Sequence, residues 1–121
     1  MVVRGIRGAT VISENTKEAI VKGTSELLDE IIRANDIKLE DIASVLFTAT
    51  PDLNAAFPAL AARRPGWEFV PRTCAQEMSV SGDLSRVVRV LILVNTEKTQ
   101  KEIKHIYLNE AKSLRPDLEN G

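Results

Sequence analysis

The stretch Val87-Val88-Arg89-Val90-Leu91-Ile92-Leu93-Val94 decides the fold. It is almost continuously apolar and rich in β-branched side chains, which pack well on a pleated surface. It reads as a central strand covered on both faces. Arg89 interrupts the run. Burying a guanidinium without an anion is strongly unfavourable, so Arg89 has to face a carboxylate or a water-filled mouth. One explanation is a buried ion pair with Glu77 as the partner. The other is a ligand anion, because the planar guanidinium fork suits carboxylates. The residues alone leave both open.

Working outward, Val2 to Arg7 predicts a short strand closed by Gly8. Alternation puts Val3, Gly5 and Arg7 on one face and Val2, Arg4 and Ile6 on the other, so the two arginines need not share a role. Asn15 is the expected N-cap of a helix, with Glu18 placed to complete a capping box. Ile20, Thr24, Leu27, Leu28 and Ile31 then recur at helical spacing, and the pattern fades at Asn35-Asp36. Ser44 to Thr50 is a second strand stopped by Pro51. The alanine-rich segment Asn54 to Arg64 predicts a second helix ended by Pro65-Gly66. Trp67 to Val70 predicts a third strand, which Pro71 limits to a short or edge position. Thr99 and Glu102 suggest a capped helical turn, and Ile106 to Leu114 a last strand. The order β-α-β-α-β-β-β predicts an α+β fold, a mixed sheet with helices on one face.

The chain has 121 residues, 44% hydrophobic and 27% charged, which suits one globular domain spanning 1–121. A core of this size leaves little room for a deep internal cavity, so a site is expected at an edge or between subunits. The formal net charge of −1 offers no cationic excess for a nucleic-acid partner. No run approaches the roughly 20 apolar residues of a membrane span, and Met1-Val2-Val3-Arg4 lacks the layout of a signal peptide. A cytoplasmic protein with neither membrane nor nucleic-acid partners is expected. Cys74 is the single cysteine and His105 the single histidine, too few for a typical zinc site, so no metal is expected. A lone cysteine is more often a small buried hydrophobe than a nucleophile. The segment from Val70 to Met78 carries polar groups without periodicity after a strand, a usual place for site residues.

Several segments together resemble one family. They are Arg4-Gly5-Ile6-Arg7-Gly8-Ala9-Thr10, Thr50-Pro51-Asp52-Leu53 with Phe57-Pro58-Ala59, Thr73-Cys74 with Gln76-Glu77-Met78, Arg86 through Val90, Tyr107-Leu108 and Leu114-Arg115-Pro116-Asp117-Leu118. In order and spacing the chain is similar, over nearly its whole length, to the monofunctional barrel-type chorismate mutases. Leu60 stands where that family commonly has a lysine, and Asp83 follows Gly82 where a second glycine is frequent.

The resemblance implies a homotrimeric pseudo-barrel with active sites between subunits. It implies conversion of chorismate, a dianion, to prephenate without a cofactor. Arg7 and Tyr107 would bind a substrate carboxylate, and Arg89 would reach a carboxylate and the ether oxygen. Glu77 would accept a hydrogen bond from the ring hydroxyl, with Cys74 supporting that contact. Phe57, Ala59, Arg63 and Thr73 would wall the site from a neighbouring subunit. Leu114 would line it, and Arg115 would help close its mouth. A non-catalytic trimeric domain binding a small carboxylate is the competing class; it would keep Arg7 and Tyr107 but need no cation opposite Glu77.

Overall fold

A computed structural model describes residues 1–114. It contains a five-stranded mixed sheet ordered β3-β2-β4-β1-β5, with one long helix laid on one face. The strands are β1 (Val2–Val11), β2 (Ile42–Ala49), β3 (Arg72–Gln76), β4 (Val87–Thr96) and β5 (Ile106–Tyr107), and the helix is α1 (Lys17–Asn35). β4 is central and antiparallel to both β1 and β2, whereas β2–β3 and β1–β5 are parallel pairs. The expected α+β architecture, a mixed sheet with its helical layer on one face, is the one observed.

The core lies between the sheet and α1. Ile6, Val45, Phe47, Val90, Ile92 and Val94 from the strands meet Leu27, Leu28 and Ile31 from the helix. Each such side chain contributes about 1.5–3 kcal/mol on burial. α1 begins one residue later than expected. Thr16 is its N-cap, its hydroxyl accepting from the Ala19 amide. Asn15 is otherwise engaged: its side-chain oxygen accepts from the amides of Asn54 and Ala55, and its amide donates to Asn54. The helix ends with Asp36 in the left-handed conformation, a usual helix stop.

Three expected elements change. Asn54 to Arg64 is not an α-helix; only Pro58–Ala62 coils, as a 3₁₀ turn that packs Ala61 and Ala62 into the core. Pro58 interrupts the segment: it lacks an amide to donate and holds Phe57 extended, at φ −77° and ψ 129°, so no helix runs through it. Trp67 to Val70 is not a strand. Trp67 is a plug 2% exposed, and its ring carries the Arg64 guanidinium at 5.0 Å. Arg64 also pairs with Asp29 of α1 at 2.8 Å. The third strand instead starts at Arg72, after Pro71, whose ring has no amide to give a ladder. Finally, Ile106 to Leu114 forms a two-residue strand followed by a 3₁₀ turn at Asn109–Leu114. Asn109 takes a positive φ of 56°, which ends the strand. The Thr99–Glu102 capping box forms as expected.

β4 is not covered on both faces. Val88, Val90, Ile92 and Val94 face the helical layer, whereas Arg89, Leu91 and Leu93 project from the other face. At one end of that second face, Ala111 closes over Ala9 and Val87; the rest is bare.

β1 runs through Gly8 rather than stopping there. A Cβ at Gly8 would lie 2.7 Å from Ile31 Cδ1 and 3.2 Å from both Leu27 Cδ1 and the Ile106 carbonyl oxygen. The glycine is therefore what lets α1 sit close to β1. Gly8→Ala is expected to destabilise the fold by about 1–3 kcal/mol through overpacking. Urea unfolding followed by circular dichroism measures this, and an unchanged midpoint would show that α1 can retreat without loss.

Candidate active site

The bare face of the sheet carries Arg7, Arg89 and Tyr107. Residues paired across neighbouring strands share a face, so the register sets out two rows. One row runs Arg7, Leu91, Leu46, Thr73 across β1, β4, β2 and β3. The next runs Tyr107, Ala9, Arg89, Thr48, Ala75, starting from β5. Arg7, Arg89, Tyr107, Leu46, Thr48 and Leu114 line a cleft of about 270 Å³ on this face. Arg4, on the opposite face of β1, donates instead to the Lys98 carbonyl at 3.0 Å. The amide of Arg7 donates to His105 Nδ1 at 2.9 Å, which ties the chain ahead of β5 to β1.

Arg89 lies between two carboxylates. Glu77 Oε1 is 3.3 Å from its Nε and Asp83 Oδ2 is 3.9 Å from its Nη2. The Nε is nevertheless buried without a hydrogen-bond partner, so the Glu77 contact is one of charge rather than of aligned donor and acceptor. Glu77 is itself held by the Thr48 hydroxyl, which donates to Oε2 at 3.1 Å. Both explanations raised by the sequence thus have support at one residue: Arg89 has an ion-pair partner, and it also opens on a cleft.

The ends of the segment joining β3 to β4 are fastened to one place. The Glu77 amide donates to the Ala49 carbonyl at 3.0 Å. At the other end the Val87 amide donates to the Thr50 hydroxyl at 3.0 Å, and the Arg86 amide to Asp52 Oδ2 at 2.8 Å. Arg86 has a positive φ of 54°, a conformation costly for a residue with a side chain. Its Nε donates to the Ile12 carbonyl at 2.9 Å, and its own carbonyl accepts from the Ile12 amide at 2.8 Å. Partial burial alone would raise the Asp52 carboxyl. Hydrogen bonds from Thr50, Arg86 and its own amide, with the Arg86 charge, together hold it below the ordinary aspartate value.

The other expected site residues lie elsewhere on the chain. Cys74 projects from the helical face of β3, packs against the core, and shares a groove of about 590 Å³ with Phe57, Leu60 and Gln76. Within one chain it therefore cannot support Glu77 in the cleft. Ala59 packs on the core, and the exposed Arg63 lines a separate hollow with Arg64 and Arg72. Thr73 is exposed on the bare face, two strands from Leu91, or roughly 10 Å at normal strand spacing. Arg115 lies outside the described residues. Sequence reasoning passed over Thr48 and Asp83. Alternation along β2 marks Thr48 as opposite in facing to Val45 and Phe47, but only the register with β4 puts it beside Arg89.

The fold has close counterparts. A chorismate mutase from Clostridium thermocellum superposes with a TM-score of 0.89 at 48% identity, covering 91% of this chain and 98% of that one. A chorismate mutase of Bacillus subtilis is 49% identical over 98% of this chain and 94% of its own length. One from Thermus thermophilus is 52% identical, covering 98% of both chains. The family model for chorismate mutase type I matches residues 3–118. The chain belongs to the type I chorismate mutase family.

Asp52 supplies a pH test of the clasp at the start of β4. A carboxyl held below its unfolded value stabilises the fold above the ordinary aspartate range, near pH 3.9, and loses that contribution as pH falls through the lowered value. Asp52→Asn should therefore be less stable than the parent at neutral pH, and the two urea midpoints should converge under acid. Midpoints separated by the same amount at pH 3 and pH 7 would show that the charge is immaterial.

Proposed function

We propose that the cleft between Arg7, Arg89 and Tyr107 is the chorismate site of this type I chorismate mutase. The reaction, chorismate to prephenate, belongs to aromatic amino acid biosynthesis. The observation that carries the reading is a pair of guanidinium groups opening on one cleft, one of them with a buried Nε that lacks a hydrogen-bond partner.

In this rearrangement one C–O bond breaks while one C–C bond forms within the same molecule. It needs no nucleophile, metal, redox group or external proton. Two tasks remain. The protein must hold the substrate in its compact conformer, and it must place positive charge where the ether oxygen becomes negative. A million-fold acceleration corresponds to roughly 8 kcal/mol of barrier, within reach of these two effects combined. Arg7 and Tyr107 anchor a carboxylate. Arg89 reaches a carboxylate and the ether oxygen, and Glu77, positioned by Thr48, accepts the ring hydroxyl. Leu114 lines one wall.

The remaining wall comes from a neighbouring copy in a homotrimer. In the single chain, Leu91 is 36% exposed on the bare face and Phe57 is 71% exposed beside its groove, apolar surfaces that suit burial between subunits. Phe57, Ala59, Arg63, Thr73 and Cys74 of one copy then close the cleft of the next, and Arg115 helps cover the mouth. No described helix is long and apolar enough to cross a membrane, and we place this single-domain enzyme in the cytoplasm.

The test follows chorismate loss and prephenate appearance. Arg89→Ala should lose about 10²–10³-fold in kcat while remaining folded and of unchanged oligomeric size. Arg89→Lys should also be poor, because an ammonium offers a point charge rather than a fork. The parent's rate should be flat through neutral pH, where no acid–base step is rate-determining. Parent-like turnover by Arg89→Ala would sink the assignment. If the variant instead unfolds, the main role of Arg89 is its ion pair with Glu77.

A further inference from the structure

We propose that Asp83 is a resident anion for Arg89 that sets how tightly the cleft binds its dianionic ligand. The inference rests on the cleft being the chorismate site and adds an affinity-determining residue to it.

The geometry fixes Asp83 as a counter-ion. Gly82, at a positive φ of 84°, turns the chain, and the Asp83 amide donates to the Val80 carbonyl at 3.2 Å. Asp83 Oδ1 accepts from the Leu84 amide at 2.9 Å. That bond orients the carboxylate and leaves Oδ2 directed towards Arg89 Nη2, 3.9 Å away. Leu84 packs with Ala9, Val87 and Ala111, and Arg86 is clasped by Asp52 and Ile12, so the segment bearing Asp83 is anchored on its C-terminal side. Asp83 thus has a place assigned by its own backbone.

The charges then balance. Nε and Nη2 form one edge of the guanidinium, and Glu77 and Asp83 both face that edge. Arg7 and Arg89 bring two positive charges to the cleft, while Glu77 and Asp83 bring two negative ones. These four groups of one chain sum to zero, so net positive charge for a dianion is left to Arg63 of the neighbouring copy and to Arg115. Glu77 is 12% exposed and held by Thr48, so its charge belongs to the built site. The Asp83 side chain is 39% exposed and touches no other cation within ion-pair distance among the described residues. Its negative charge repels the ligand's carboxylates and competes for Nη2. A half-exposed charge so placed changes affinity by a few-fold, not by orders of magnitude, and salt screens it.

The test uses Asp83→Asn, which keeps the Oδ1 acceptor for the Leu84 amide and removes only the charge. At low ionic strength its KM for chorismate should fall about two- to fivefold with kcat within about twofold of the parent. The inhibition constant of prephenate, also a dianion, should fall by the same ratio. Asp83→Glu should restore much of the parent KM. The gap between parent and Asp83→Asn should close as salt approaches about 1 M, where charges are screened beyond about 3 Å. A KM that is unchanged or raised in Asp83→Asn overturns the proposal, and so does a gap that persists at high salt, since a packing effect would not be screened. If Arg89→Ala retains turnover, the cleft assignment itself has failed; if it does not and the Asp83 series shows no shift, only this inference is lost.

Discussion

Alternation along β4 is the constraint on which the rest of this molecule depends. Successive side chains of a strand point to opposite faces, and this sheet has a helix on only one of them. Val88, Val90, Ile92 and Val94 take the helical side, which commits Arg89, Leu91 and Leu93 to the bare side. A slip of one residue would drive the guanidinium into the core against Phe47 and Leu28 and expose four aliphatic side chains. The hydrophobic requirement that fixes the register also delivers the cation to the cleft. Gly8, the close approach of α1 and the pairing of β4 with both β1 and β2 all serve that single alignment.

Much of this was legible because it is local. The apolar repeat of α1, the β-branched run of β4 and the Thr99–Glu102 cap each depend on neighbours within a few residues. What the sequence concealed depends on distant partners. Trp67 and Val70 have strand-like composition, yet the burial they supply is that of a plug under Arg64. The alanines after Asn54 favour a helix, yet Pro58 keeps Phe57 extended and breaks the run. The apolar character of Leu91 and Leu93 suggested a second covering layer that the single chain does not have. In the cleft, Arg7 and Arg89 stood out as charges inside strands. Asp83 did not, because its proximity to Arg89 is produced by a turn at Gly82 and an anchor at Arg86. The residue chemistry left an ion pair and an anion site both open, and the family resemblance supplied the identity of the anion.

The irregular segments are held by side chains acting on backbone. Asn15 grips the chain at Asn54 and Ala55, Thr50 receives the Val87 amide, and Asp52 receives that of Arg86. Asn35 does the same at the far end of α1, donating to the Lys104 carbonyl and accepting the Lys104 amide. These bonds satisfy amides and carbonyls that no ladder reaches, and they do so beside the strand ends that frame the cleft. The shape of the cleft therefore rests on loops with defined partners as well as on the sheet.

The brevity of β5 has a consequence for how the protein breathes. Its ladder to β1 spans two residues, Ile106 and Tyr107, flanked by bonds from the Arg7 amide to His105 and from the Leu108 amide to the Ala9 carbonyl, whereas β1 and β4 pair along ten. The free energy needed to detach this edge is a fraction of that needed to unfold the sheet, so amide protons around Tyr107 are expected to exchange through sub-global opening while those of β4 wait for complete unfolding. Tyr107 and Leu114 both line the cleft. One wall of the cleft thus rests on a much shorter ladder than the one that holds Arg89 in register.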